Sequence, residues 1–267
     1  MSPEQNNRFE IEAAGATDVG MKRRLNEDVV VLDTGHELYV VADGMGGHAA
    51  GEVASKIATD EIVRAYETGV AEADETWPEH WASSLSAVAN QIVDAILSGH
   101  HKVTEEMNKN AELKGMGTTV VVAAHPTGEA KLVVCHVGDS RAYRLRECAL
   151  SLLTRDHSWV HEQVTAGFLT EEAARTHTLK NVVTQALGGS SEPKVEVLET
   201  GIDDGDIYLL CSDGLNSMLT DHEIAGFLLE GGSLDEICGN LIEAANQRGG
   251  NDNISVVLLR PHRTDAV

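Results

Sequence analysis

The sequence predicts a single α+β domain. Two long segments carry apolar residues at helical spacing, and short apolar runs bounded by turn residues alternate with them. No internal repeat, low-complexity tract or linker divides the chain. Its 267 residues, 42% of them hydrophobic, suffice for one large core and argue against disorder. Residues 1–12 are expected to form a flexible N-terminus, 13–262 a single folded domain and 263–267 a tail.

After the loose start, Thr17 to Asp28 is turn-rich and holds three consecutive basic residues, Lys22-Arg23-Arg24. Leu38 to Ala42 reads as a buried strand ending in Asp43-Gly44. A glycine-dense turn then feeds a helix with Ala54, Ile57, Ala58, Ile62 and Ala65 on one face. Glu67 to Glu79 is acidic and poorly periodic, as expected of a connection. A second helix is expected from near Trp81, with Leu85, Val88, Ile92 and Ile96 on one face, running past Gly99-His100-His101 toward Met107. That histidine pair is expected on the helix surface.

Val120–Ala124 and Lys131–Val137 form a hairpin around His125-Pro126-Thr127-Gly128, and Ala142 to Leu145 starts the next strand. Ser158 to Gly167 and Glu171 to His177 are short polar helices with few large apolar residues, expected to be a mobile surface subregion. Tyr208 to Cys211 is a strand, and two capping boxes follow, Thr220 with Glu223 and Ser233 with Glu236. Ile254 to Leu259 is the last strand.

The formal charge is −23, from 43 acidic and 20 basic residues. That excludes nucleic acid and anionic membranes as partners on electrostatic grounds. No apolar run approaches membrane-spanning length and no signal pattern opens the chain, so a cytoplasmic protein is expected. Cys135, Cys148, Cys211 and Cys238 lack metal or redox spacing, and three lie in apolar strand or helix patterns, so they read as reduced core thiols.

Asp43 and Asp213 stand at strand exits and Asp252 at a strand entrance. If the last strand runs antiparallel to the other two, these carboxylates share one rim. They then repel one another unless hard cations lie between them, which suggests an oxygen-ligand site for magnesium or manganese. Asp139, in Gly138-Asp139-Ser140-Arg141, is a fourth carboxylate at a strand end, with an ordinary turn aspartate as the competing reading.

Together these motifs resemble the type 2C metal-dependent protein serine/threonine phosphatases, compact bacterial members above all. The resemblance covers roughly residues 13–260. It rests on Arg23 with Asn26-Glu27-Asp28, Asp43-Gly44-Met45-Gly46-Gly47-His48, Gly117-Thr118-Thr119 and Val137-Gly138-Asp139-Ser140-Arg141. Thr154-Arg155-Asp156-His157-Ser158, Ser212-Asp213-Gly214 and Gly250-Asn251-Asp252-Asn253 complete it.

The resemblance implies a four-layer αββα sandwich of two antiparallel sheets flanked by helices. It implies two manganese or magnesium ions, with Asp43 bridging them, the Gly44 carbonyl on one, and Asp213 and Asp252 on the other. Glu27 and Asp28 would act through metal-bound water, Asp139 would help hold a third ion, and Arg23 would bind the substrate phosphate. Residues 159–180 match the family's flap. Some relatives place a histidine directly after Asp-Gly. Here Met45 stands there, leaving His48 or a metal-bound water as general acid.

The implied activity is hydrolysis of phosphoserine and phosphothreonine in proteins by a two-metal-activated water, opposing a bacterial serine/threonine kinase, from a monomer. A hydrolase of small phosphoesters is the first alternative. An inactive binding module is the second, and the joint presence of Arg23, Asp43, Asp213 and Asp252 argues against it.

Overall fold

The computed structural model describes residues 8–46, 50–71, 78 and 80–264. In chain order these form β1 (Phe9–Asp18), β2 (Asp28–Asp33), β3 (Leu38–Met45), α1 (Ala50–Ala71) and α2 (Ala87–Lys109). Then come β4 (Gly117–Thr118), β5 (Val120–Ala124), β6 (Lys131–Val137), β7 (Arg141–Arg146), β8 (Ala149–Leu152), α3 (Trp159–Thr165) and α4 (Glu171–Thr176). The chain closes with β9 (Glu196–Gly201), β10 (Ile207–Cys211), α5 (Asp213–Asn216), α6 (Asp221–Glu230), α7 (Leu234–Gln247) and β11 (Ile254–Arg263).

Two antiparallel sheets result. One has the order β1-β11-β10-β7-β8, the other β2-β3-β5-β6-β9 with β4 beside the end of β3. Successive side chains of a strand point to opposite faces, so each apolar run divides by parity. In β3, Leu38, Val40 and Ala42 pack under α1 and α2, while Tyr39 and Val41 face the other sheet. In β11, Ile254, Val256 and Leu258 pack under α6 and α7, while Val257 and Leu259 face inward. The central strands are buried on both faces, which is why their sequences are continuous apolar runs rather than alternations. The layers are helix, sheet, sheet, helix, as the resemblance implies.

Several boundaries differ from expectation. Phe9–Glu12 belongs to β1, in register from Phe9 opposite Arg263. Phe9, Ile11 and Ala13 face the inter-sheet core, a period-2 pattern too short to weigh in the sequence. The folded unit therefore exceeds 13–262 at both ends: the expected flexible segment is strand from Phe9 on, and the expected tail begins with a paired residue.

Of the connection expected over Glu67–Glu79, the first residues are helical, because α1 continues to Ala71, and residues 72–77 and 79 lie outside the described residues. Helix α2 begins at Ala87, not near Trp81. Ser86 caps it by accepting the Ala89 N–H, and the Asn90 side chain ties down Ala82 through both its N–H and its carbonyl. That clamp makes 80–85 a loop despite its apolar residues. Of the histidine pair expected on the helix surface, His101 is exposed, but His100 is buried in α2, where its Nδ1 accepts the Gly188 N–H at 3.2 Å. Both capping boxes are present.

Cys135, Cys211 and Cys238 are buried and Cys148 is exposed. Among the described residues no helix is long and apolar enough to cross a membrane.

Candidate metal centre

Antiparallel pairing brings the expected carboxylates together. β10 runs antiparallel to β11, so the exit of one lies beside the entrance of the other. Asp213 is the first residue of α5 after β10, and Asp252 precedes β11. Across the sandwich, Asp28 and Asp43 face each other in the β2–β3 register. Asp43 has the parity of Tyr39 and Val41, so it points between the sheets.

Two glycines allow the close approach. A Cβ on Gly44 would lie 2.2 Å from the Gly51 carbonyl oxygen and 2.6 Å from that of Glu27. A Cβ on Gly214 would lie 1.9 Å from the Asn253 carbonyl oxygen. The second contact sets the spacing between the Asp213 and Asp252 segments. Gly214→Ala should therefore cost about 1–3 kcal/mol, because backbone atoms cannot yield to a methyl group. A thermal melt should show a midpoint lower by about 2–4 °C per kcal/mol. An unchanged midpoint would contradict this packing.

Asp28 is 6% exposed and joins the two sheets. Its Oδ2 accepts the hydroxyls of Ser212 and Ser255, each at 2.7 Å, while its Oδ1 is buried with no partner. Burial, opposed by the two serine bonds and reinforced by Asp213 and Asp252, raises the Asp28 carboxyl to about 7. Burial and then the neighbouring acids raise Asp139 to about 8 and Asp213 to about 6. Asp43 is held well above the ordinary carboxylate range by burial and by Asp28, Asp213, Asp139 and Asp252. Glu27 is raised by burial first.

Five carboxylates on one rim, one with a buried oxygen that has no partner, form a donor set that suits hard divalent cations. The residues fit the implied ions: Asp43, Asp213 and Asp252 would be the carboxylate ligands beside the Gly44 backbone, with Glu27, Asp28 and Asp139 around them.

Arg23 reaches this rim. Its guanidinium donates to Asp252 Oδ2 at 2.6 Å and lies 3.9 Å from Glu27 Oε2, with the side chain 47% exposed. The loop that carries it is a series of turns and bends, as its turn-rich composition implies. Asn253 shapes it, accepting the Glu27 N–H and donating to the carbonyls of Val19 and Leu25. Met21 N–H adds a bond to the Gly250 carbonyl.

His48 lies outside the described residues. Met45 closes β3 opposite Gly117. The flap helices α3 and α4 have only Val160 buried, and Phe168 between them is 78% exposed.

Sequence reasoning did not single out Ser212, Ser255 or Asn253 as positioning groups. The signal was present for the serines, since both fall at inward parity next to apolar strands, where a hydroxyl needs a partner. The Asn253 contacts span more than 200 residues of sequence and left no local pattern.

Buried acids that call for cations, with the Arg23 fork at their edge, suit a metal-dependent phosphoester hydrolase. The family model described as Protein phosphatase 2C matches residues 24–258, and the chain belongs to that family. It is 34% identical over 259 residues to Protein phosphatase PhpP of Streptococcus pneumoniae, covering 96% of this chain and 100% of that protein. The fold matches the crystal structure of the Mycobacterium tuberculosis serine/threonine phosphatase PstP/Ppp with a TM-score of 0.79 and 33% identity, over 95% of this chain and 99% of that one. A second structure, the catalytic domain of PstP in complex with two manganese ions, matches with a TM-score of 0.76 and 32% identity, over 95% and 99% of the two chains.

Proposed function

We propose that this protein removes phosphate from serine and threonine side chains of phosphoproteins, using two manganese or magnesium ions held on the inter-sheet rim. The observation that carries the reading is the convergence of Asp28, Asp43, Asp139, Asp213 and Asp252 on one rim with Arg23 at its edge. The named phosphatases it resembles support the substrate class, and the two-manganese neighbour supports the cofactor.

Asp43, Asp213 and Asp252 are the proposed metal ligands, with the Gly44 carbonyl. Glu27 and Asp28 orient water around the ions, Asp28 being fixed by Ser212 and Ser255. Asp139 takes part in a third, weaker cation site. When bound, such ions acidify water and offset negative charge on a phosphate. Arg23 adds a planar two-donor fork that matches two phosphate oxygens and holds the ester for in-line attack. The reading uses no thiol nucleophile: Cys135, Cys211 and Cys238 are buried and burial raises their thiols, and the exposed Cys148 sits in the β7–β8 turn, at the end of β7 away from Asp139. A cytoplasmic monomer opposing a serine/threonine kinase completes the reading.

A phosphothreonine peptide should be hydrolysed by the protein with Mn²⁺, not after chelation, and again when Mn²⁺ is returned. Phosphotyrosine peptides should be poorer substrates. Undiminished turnover in chelator would overturn the metal-dependent reading, and turnover confined to small aryl phosphates would overturn the phosphoprotein reading.

A further inference from the structure

Gly138 and His157 are joined by two hydrogen bonds. The Gly138 N–H donates to His157 Nδ1 at 3.1 Å, and the His157 N–H donates to the Gly138 carbonyl at 2.9 Å. Gly138 has φ of 108°, a conformation that favours glycine. A Cβ there would lie 2.5 Å from the Thr119 Cβ. On the far side of Asp139, the hydroxyls of Ser140 and Thr119 are bonded at 2.7 Å. Asp139 is thus suspended between two fastenings, and among the neighbouring acids Asp213 raises its pKa most.

His157 is 5% exposed and stacks on His136, with ring centroids 4.9 Å apart at 26°. The His136 Nε2 meets the Arg155 carbonyl at 2.8 Å, so that nitrogen carries a proton. The ligand atoms of His136, His157 and Glu196 lie within 4.8 Å of one another, an arrangement that could hold a metal. The His157 tautomer argues against it. A backbone N–H can only donate, so Nδ1 must offer its lone pair and Nε2 must carry the proton. An imidazole in that state has no second lone pair for a cation. The buried Nε2 has no hydrogen-bond partner, and its nearest acidic atom is Glu196 Oε1 at 3.5 Å.

We infer that His157 is a positioning residue: it accepts the Gly138 N–H to lock the turn that aims Asp139 at the carboxylate rim, and Glu196 favours the Nε2–H tautomer that makes this possible. The inference rests on the reading of Asp139 as a ligand of a weaker cation. Residues that orient metal ligands typically change affinity 10- to 100-fold when lost. His157→Phe keeps an aromatic ring but no acceptor. His157→Asn keeps an acceptor, Oδ1, at the position of Nδ1.

The test is a calorimetric Mn²⁺ titration of the wild type, His157→Phe, His157→Asn, Asp139→Asn and the double variant His157→Phe/Asp139→Asn. It is joined by ¹⁵N NMR of the His157 ring in metal-free protein. Asp139→Asn should weaken the weakest binding step. His157→Phe should weaken that same step about 10- to 100-fold and leave the tighter steps within about threefold. His157→Asn should recover most of the loss, and the double variant should lose no more than Asp139→Asn alone. NMR should report the Nε2–H tautomer.

If Asp139→Asn weakens the step while His157→Phe does not, or if the two losses add, the positioning role fails and the role of Asp139 stands. If Asp139→Asn alters no step, the ligand reading of Asp139 fails, and this inference falls with it. A Nδ1–H tautomer would overturn the inference directly.

Discussion

Asp213→Asn should lower kcat/KM on a phosphothreonine peptide by roughly 10²–10³-fold, the usual cost of removing one preorganised electrostatic partner from a reacting centre. Asp252→Asn should act similarly. The same substitution at 213 should make the metal-free protein more stable, because the carboxyl it removes is buried among like charges. The sign follows from proton linkage. Asp213, Asp28 and Asp139 titrate at about 6, 7 and 8 in the fold, against an ordinary value of 3.8. Between those limits the folded metal-free chain binds more protons than the unfolded chain, so its stability falls as pH rises from about 4 to 8. Saturating Mn²⁺ stabilises the folded state by mass action and should flatten that slope.

The measurement is a set of thermal melts from pH 5 to 8, with chelator and with Mn²⁺, beside the kinetic comparison. In chelator at high pH, Asp213→Asn should melt above the wild type. With Mn²⁺ the order should reverse. If the variant melts below the wild type in chelator, or keeps its kcat/KM within threefold, Asp213 is not part of an ion-requiring cluster.

Arg23→Ala should lower kcat/KM about 10- to 150-fold, corresponding to about 1.5–3 kcal/mol for a charge-assisted contact. Arg23→Lys should recover only part, because an ammonium cannot present two parallel donors. Lys22→Ala and Arg24→Ala should change efficiency less than about threefold, an effect that fades with added salt because exposed charges are screened. The contrast follows from placement. Arg23 donates to Asp252 at the rim, and Asn253 fixes the loop on either side through Val19, Leu25 and Glu27. All four variants would be compared on one phosphopeptide at two ionic strengths. A loss in Arg24→Ala as large as that in Arg23→Ala would mean that net charge, not a single fork, binds the ester.

Much of the fold was legible because its determinants are local. Parity and turn residues placed the β5–β6 hairpin, and Ser233 with Glu236 marked the start of α7, since caps are satisfied within one turn. Local signals misled where a distant partner outweighed them. Asn90 holds the segment before α2 out of the helix, and pairing with β11 turns the short alternating run Phe9–Glu12 into strand.

By itself the sequence determined the carboxylates, their positions at strand ends, the arginine and the family they signal. Those are properties of residue type and order alone. The tertiary structure alone decided that Asp28 is gripped by two serines from the opposite sheet, that Arg23 meets Asp252, and that His157 closes on Gly138. Each of these contacts joins different elements of the fold, and those of Asp28 and His157 are made out of water. Removal from water is what raises the carboxylates and leaves Asp28 Oδ1 without a partner, while the Gly138 N–H fixes one tautomer of the His157 imidazole. Burial and long-range proximity are created by folding, so no window of sequence contains them.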